Sequence, residues 1–547
     1  MHFLSKSSIL LAATTVAGVS IPDPASIANN RLSSRATTFN NPILWEDHPD
    51  LDVFRVGDVF YYSSSTFAFS PGAPVLKSYD LVNWTPVSHS VPNLNFGSKY
   101  NLNSATDRAY VKGIWASTLR YRESNDLFYW MGCVEGKTYI WTSAGSAAAK
   151  NGGEAQNWNW TSSGSINNCY YDCGLLIDDD DTMYVAYGNT QISVAQLSKD
   201  GLKEVKNQKV YSSSDTIEGS RMYKINGTYY ILVTRPAHSE YVLKSKSPFG
   251  PYEMKALVKS ISGPLPNAGY SHQGGLVETK DKKWYYAAFM DSYPGGRIPV
   301  LAPLTWTSDG WPQLVTDNGA WGKTYPMPVQ TAKTVAAPVG TDNFTGSALS
   351  HEWEWNHNPD NSKWKLTSDG LVLQTATVTN DLFTARNTLT HRIIGPKSSG
   401  TFRIDVSQMR DGDRAGAALF RDVAAYIGIH KDGSTAKLVM VNKLNLDSNW
   451  KTSSTGTVAA TGPTVTGSEI WLRVQADITP AFSGTSAKRT TTFWYSTDGK
   501  QFMQLGGAFE MSNAWQFFTG YRFAVFDFAT KGLGGQVTVK SFTMQYV

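Results

Sequence analysis

In the first half of the chain, pairs of short apolar strands joined by a polar turn recur, and helical periodicity is nearly absent. The units lie at 54–62, 119–129, 176–184, 222–230 and 277–285. In each, a strand runs into a turn and an aromatic-rich strand follows, as in Met222-Tyr-Lys-Ile-Asn-Gly-Thr-Tyr-Tyr230. The turns carry Asp, Asn or Gly, which tolerate tight hairpin geometry. The spacing of roughly 45–70 residues is that of a four-stranded propeller blade. A third strand and an exit turn follow at 75–84 and 241–252. The pattern predicts an all-β chain with a five-bladed β-propeller over 36–325. It stops near Trp321, and 326–341 reads as a linker, without alternation or large core residues. Short alternating strands resume over 342–547, among them 401–406, 417–420, 425–429, 438–441, 470–474, 491–495 and 521–526. Their spacing predicts a β-sandwich.

The 547 residues exceed what one compact core usually holds, which agrees with two domains. Charged residues make up 17% and aromatic residues 13%. Aromatic wealth suits sugar stacking, but it also suits any strand-rich protein. Net charge is +4, without the Lys/Arg block that a nucleic-acid or anionic-membrane surface needs, so neither partner is expected. Residues 1–28 read as a signal peptide: Lys6 precedes a short apolar run, and small residues follow. Secretion is therefore expected, and sequons at Asn83, Asn159, Asn226 and Asn343 agree with a glycoprotein. Cys133, Cys169 and Cys173 allow at most one bridge and leave one thiol, with the pairing open.

A propeller gathers the first strand of every blade around one axis, so ionisable residues at those strands can meet. Asp50 and Asp52 stand at i and i+2 in His48-Pro-Asp-Leu-Asp-Val56 and, on an extended strand, would point the same way. Asp172 precedes the apolar run Leu175-Leu-Ile177, and Glu218 heads the next unit. The run Asp178–Asp181 reads as a solvated hairpin turn; calcium loops need another spacing. Asp50, Asp172 and Glu218 each sit just before the apolar strand of a unit and are expected to converge. Inverting glycoside hydrolysis asks for one carboxylic acid and one carboxylate about 6.5–9.5 Å apart. A third carboxylate raises the pKa of the acid.

The quoted segments, with Gly113-Ile-Trp-Ala-Ser117, Glu218-Gly, and Gly296-Arg297 before Leu304-Thr-Trp306, resemble glycoside hydrolase family 43 over about 40–325. The resemblance implies Asp50 as general base, Asp172 as the residue that tunes and orients the acid, and Glu218 as general acid. It implies that Arg297 touches sugar hydroxyls. Trp115, Phe67 and Tyr171 lie near the acids and are expected to line the sugar or the rim. His272, in Ser271-His-Gln-Gly-Gly, is similar to a histidine that helps hold a structural calcium through water; a buried, hydrogen-bonded histidine is the competing reading. No cofactor is expected to be required. The family's β-xylosidases carry Phe-Glu-Trp-Phe-Pro-Gly where this chain has Phe67-Ala-Phe-Ser-Pro-Gly72. Glu352-Trp-Glu-Trp-Asn-His-Asn-Pro359 and Ala385-Arg-Asn-Thr-Leu389 resemble the concanavalin-like jelly roll joined to many of these enzymes. The set is most similar to fungal arabinofuranosidases acting on arabinoxylan. The expectation is a monomeric exo-acting α-L-arabinofuranosidase on arabinoxylan or xylan-derived oligosaccharides, with β-xylosidase or arabinanase as alternatives. A lectin would not need the three acids, and a sialidase would need an Arg triad and repeated Asp boxes. The insert at 93–103 and the sandwich are the expected outer wall of the site.

Overall fold

The computed structural model describes residues 36–547, so the segment read as a signal peptide lies outside the described residues. Five four-stranded antiparallel sheets follow one another in chain order. Their first strands are Asp52–Val56, Thr118–Arg122, Gly174–Ile177, Glu218–Ile225 and Ser271–Glu278. Each first strand neighbours that of the next sheet, and the fifth neighbours the first, so the ring closes around one axis. The predicted two-strand units are the first two strands of each blade. Closure is reinforced where Thr38–Asn40 pairs with Thr324–Pro326. Beside it the Asn41 amide donates to the carbonyls of Leu301 and Gly322 and accepts from Leu301 N–H.

The sandwich packs a nine-stranded sheet on an eight-stranded one. Glu469–Asp477 shows the period of two directly, with Ile470, Leu472, Val474 and Ala476 buried and their neighbours partly exposed. These side chains meet Phe402, Ile427, Phe493, Phe523 and Phe542 in the inter-sheet core. The eight-stranded sheet ends on a strand that comes from the propeller: Phe69–Ser70 pairs with Trp353–Asn356. The loop that departs from the xylosidase pattern is thus hydrogen-bonded into the second sheet.

Two readings need correction. Asp50 and Asp52 do not point together, because Asp50 is left-handed (φ 57°) and the strand begins only at Asp52. Asp52 is fully buried and turns to the second blade, accepting from Thr118 Oγ1 (2.7 Å), Leu119 N (3.0 Å) and Arg120 Nη1 (2.5 Å). The Asp178–Asp181 run is not merely solvated. Asp178 is buried against Lys224 and Tyr229 of the fourth blade, and Asp181 takes two bonds from Arg122 of the second. The turn carboxylates tie three blades together.

Candidate active site

The first strands of blades one, three, four and five share a backbone device. A left-handed residue stands two positions before the regular ladder: Asp50 before Asp52, Asp172 before Gly174, Gly219 before Arg221 and Gln273 before Gly275. Asp50 and Asp172 occupy that position themselves. Glu218 stands one residue earlier, because Gly219 (φ 68°) takes the turn. The expectation of one equivalent position is therefore off by one for Glu218, and the three carboxylates still meet. Asp50 and Glu218 both act electrostatically on Asp172, and Asp50 acts on Glu218.

Each acid has its own surroundings. Asp50 is buried; its Oδ1 accepts from Arg297 Nη1 (2.7 Å) and its Oδ2 from Ser65 Oγ (2.6 Å). Both contacts fix its orientation and leave a lone pair on each oxygen. Glu218 Oε2 accepts from Asn189 Nδ2 (2.7 Å) and Tyr171 Oη (3.2 Å). Burial, ahead of the Asp50 charge, holds its carboxyl above the usual range despite those donors. Burial pushes Asp172 well above the usual range, and the charges of Glu218 and Asp50 add to it. The fields of Arg221 and Arg297 oppose that rise at Asp172 without cancelling it.

Arg221 is the residue that the sequence reading passed over. It is fully buried and donates to the carbonyls of Leu51 (3.0 Å), Asp50 (2.9 Å) and Cys173 (2.7 Å). It thereby links the backbones beneath two of the acids. Its signal was an arginine inside an otherwise apolar inner strand. Ser65 and Asn189 carried no comparable signal.

The aromatic expectations divide. Tyr171 bonds Glu218, and Trp115, 39% exposed, meets Tyr171 edge-on at 6.2 Å. A cavity of about 270 Å³ opens beside Asp172, with Trp115, Tyr171, Lys112, Glu135 and the Cys133–Cys169 disulfide in its lining. The bridge anchors the segment leading to Tyr171 and Asp172, and Cys173 is the buried free thiol. Phe67 is 5% exposed and stacks at 5.7 Å and 7° on Phe518 of the sandwich, a residue without sequence signal. Arg297 lies between Phe518 (5.2 Å) and Phe289 (5.0 Å). The insert at 93–103 leans on the sandwich: Leu94 N donates to Asn358 Oδ1, and Arg386 Nη1 to Asn103 Oδ1.

His272 is buried, with its Nδ1 3.0 Å from the Tyr270 carbonyl and its ring edge on Phe289. Burial lowers its pKa. Its carboxylate neighbour Asp291, at 3.8 Å, also faces Arg297 at 3.4 Å, and the Asp50 charge acts on the ring as well. Calcium takes six to eight oxygens. Among the described residues no group of three or more His, Cys, Asp or Glu could hold a metal. The side chains here do not fit a directly held calcium.

Next to His272, Glu240 accepts from Gln273 N (2.8 Å), and Gln273 packs where a side chain on Gly219 would lie. Burial pushes Glu240 up to about 8. The unfolded chain releases this proton near the ordinary glutamate value, while the fold keeps it. Stability from this group therefore declines as pH rises from about 4.5 to 8, by about 1.4 kcal/mol per unit at most. The melting temperature of Glu240→Gln relative to the parent is expected to rise between pH 5 and pH 8 in scanning calorimetry. A constant difference refutes it.

Residues 39–312 match the model for glycosyl hydrolases family 43, and 341–545 match the β-xylosidase C-terminal concanavalin A-like domain. The chain belongs to glycosyl hydrolase family 43. A solved family 43 enzyme is 63% identical, covers 93% of this chain and all of its own, and superimposes with a TM-score of 0.92. Its description concerns active-site engineering that gives both endo-xylanase and exo-arabinofuranosidase activity. A β-xylosidase of Formosa agariphila is 28% identical over 93% of this chain and 90% of its own length. A non-reducing-end α-L-arabinofuranosidase of Bacteroides ovatus is 30% identical over 62% of this chain and 65% of its own. This family 43 hydrolase thus has relatives named for both activities. Among the described residues no helix is long and apolar enough to cross a membrane.

Proposed function

We propose that this hydrolase is a secreted, monomeric, exo-acting α-L-arabinofuranosidase that removes arabinofuranosyl side chains from arabinoxylan with inversion. The convergence of Asp50, Asp172 and Glu218 at one end of the axis carries the reading. Asp50, held by Ser65 and Arg297, takes a proton from water as it attacks the anomeric carbon. Glu218 protonates the departing xylan oxygen from Oε1, since Oε2 is engaged by Tyr171 and Asn189. Burial and the Asp50 charge keep that proton on Glu218, and Asp172, a buried carboxyl beside both, tunes and orients the acid. Arg297 and the Phe67–Phe518 wall orient one terminal sugar, and Trp115 with Tyr171 meets the polymer. The 63% identical enzyme, described with exo-arabinofuranosidase activity, supports the choice of arabinose. The β-xylosidase names among the relatives favour the second reading, terminal xylose release.

Product analysis on arabinoxylan, linear arabinan and xylobiose decides between them. Arabinose is expected as the main product from arabinoxylan, with little xylose and no xylo-oligosaccharides. NMR at early times should give the inverted anomer. Xylose from xylobiose with side chains left intact would replace this reading by the second, and a retained anomer would exclude Asp50 as a base. All four sequon asparagines are exposed, which agrees with N-glycosylation of a secreted chain.

A further inference from the structure

We infer that Asp47 is a positioning residue that clips the sandwich loop at 512–521 to Arg297, so that Phe518 and Arg297 meet the sugar as one unit. Asp47 is 4% exposed, and both carboxylate oxygens are used. Oδ1 accepts from Arg297 N (2.7 Å) and Oδ2 from Gly520 N (2.9 Å), joining residues from the two halves of the chain. Its own carbonyl accepts from Arg392 Nε (2.8 Å) of the sandwich. The backbones meet closely there. A Cβ on Gly520 would stand 2.3 Å from Gly295 O, and one on Gly296 2.2 Å from Asp47 Oδ1. Tyr521 N donates to Pro294 O across the same seam (3.1 Å).

The far side of the loop is held as firmly. Arg421, fully buried, donates Nε to Thr519 O (2.9 Å), Nη1 to Ser512 O (3.1 Å) and Nη2 to Ala514 O. The loop is thus pinned at both ends, and Phe518 between them stacks on Phe67 and on the Arg297 guanidinium. That guanidinium in turn bonds Asp50 at 2.7 Å. A chain of contacts runs from Asp47 through the loop to Phe518, Arg297 and Asp50. Bonds from the two N–H groups to one rigid carboxylate set the loop and the start of the Arg297 strand at a fixed separation. Asn cannot replace that carboxylate, because its amide nitrogen would face one of the two donors.

This inference rests on reading the site as a glycosidase pocket. The test is a double-mutant cycle on the full-length enzyme with Asp47→Asn, Phe518→Ala and both together, measured on an aryl arabinofuranoside. Asp47→Asn is expected to lower kcat/KM about 10–100-fold. The loss should lie mainly in KM, and Asp47→Glu should recover part of it. With Phe518 already removed, Asp47→Asn should cost markedly less. Single losses that simply multiply, or a fall in kcat that only follows the folded fraction, would overturn the clip. Should Asp47→Asn fail to fold, Gly520→Ala presses on the same seam, and its effect must likewise shrink beside Phe518→Ala; multiplying losses overturn the clip there too. Full activity of Glu218→Ala on arabinoxylan, whose leaving group needs protonation, would instead remove the pocket reading, so the two failures are distinguishable.

Discussion

Glu218→Ala is expected to abolish arabinose release from arabinoxylan while sparing much of the hydrolysis of aryl arabinofuranosides with good leaving groups. A xylan hydroxyl is a poor leaving group and must be protonated as the bond breaks, whereas a dinitrophenolate departs without help. Positioned acid catalysis contributes on the order of 10²–10⁴-fold, and this contribution should vanish selectively on the polymer. Fold stability should change little, since burial already disfavours the ionised Glu218. The measurement is kcat on both substrates for parent and variant, with melting temperatures alongside. Equal losses on both would exclude Glu218 as the acid. Asp172 would then be the carboxyl to test, because burial and two neighbouring charges hold its proton even more strongly.

Truncation after residue 330 is expected to leave a propeller that is insoluble or inactive. The sandwich is built into the propeller at several points. Phe69–Ser70 would lose its strand partner, and Phe67 its stacking partner Phe518. Phe69 would also lose the Arg522 guanidinium 3.6 Å from its ring centroid. The fully buried Glu354 carboxylate binds His89 of the first blade (3.1 Å) together with Arg392 (2.9 Å) and Arg522 (2.6 Å). Tyr110, whose hydroxyl donates to Phe383 O, would be uncovered along with Phe69. A contiguous apolar patch of that kind promotes association. Removal of the loop also takes Phe518 from Arg297 and Gly520 from Asp47, and misplacement by about 1 Å can cost 10²-fold. Soluble yield and kcat/KM of residues 36–330 provide the check. A soluble fragment with parental kcat/KM would show that the sandwich is dispensable.

Much of the architecture was legible because it rests on local patterns. Strand alternation and Asn/Asp/Gly turns are written within ten residues, so the five hairpin units and the strands around 470–474 and 491–495 could be read directly. The strand Thr452–Thr464 could not, because Thr, Ser, Gly and Ala along an exposed edge leave no apolar period. The three acids were legible for a related reason: each stands at the head of an apolar inner strand, where a buried carboxylate without a task is costly. Which way each one turns was not. The left-handed backbone of Asp50 itself turns it away from Asp52, and that of Gly219 shifts Glu218 one place along its strand. The tertiary structure alone decided what meets over long separations: Asp47 with Gly520, Phe67 with Phe518, Phe69–Ser70 with Trp353–Asn356, and Arg221 beneath Asp50 and Cys173. A hydrophobic period states that a face must be covered and leaves open which distant segment covers it. Here the covering segment comes from the other half of the chain, and it completes the candidate active site.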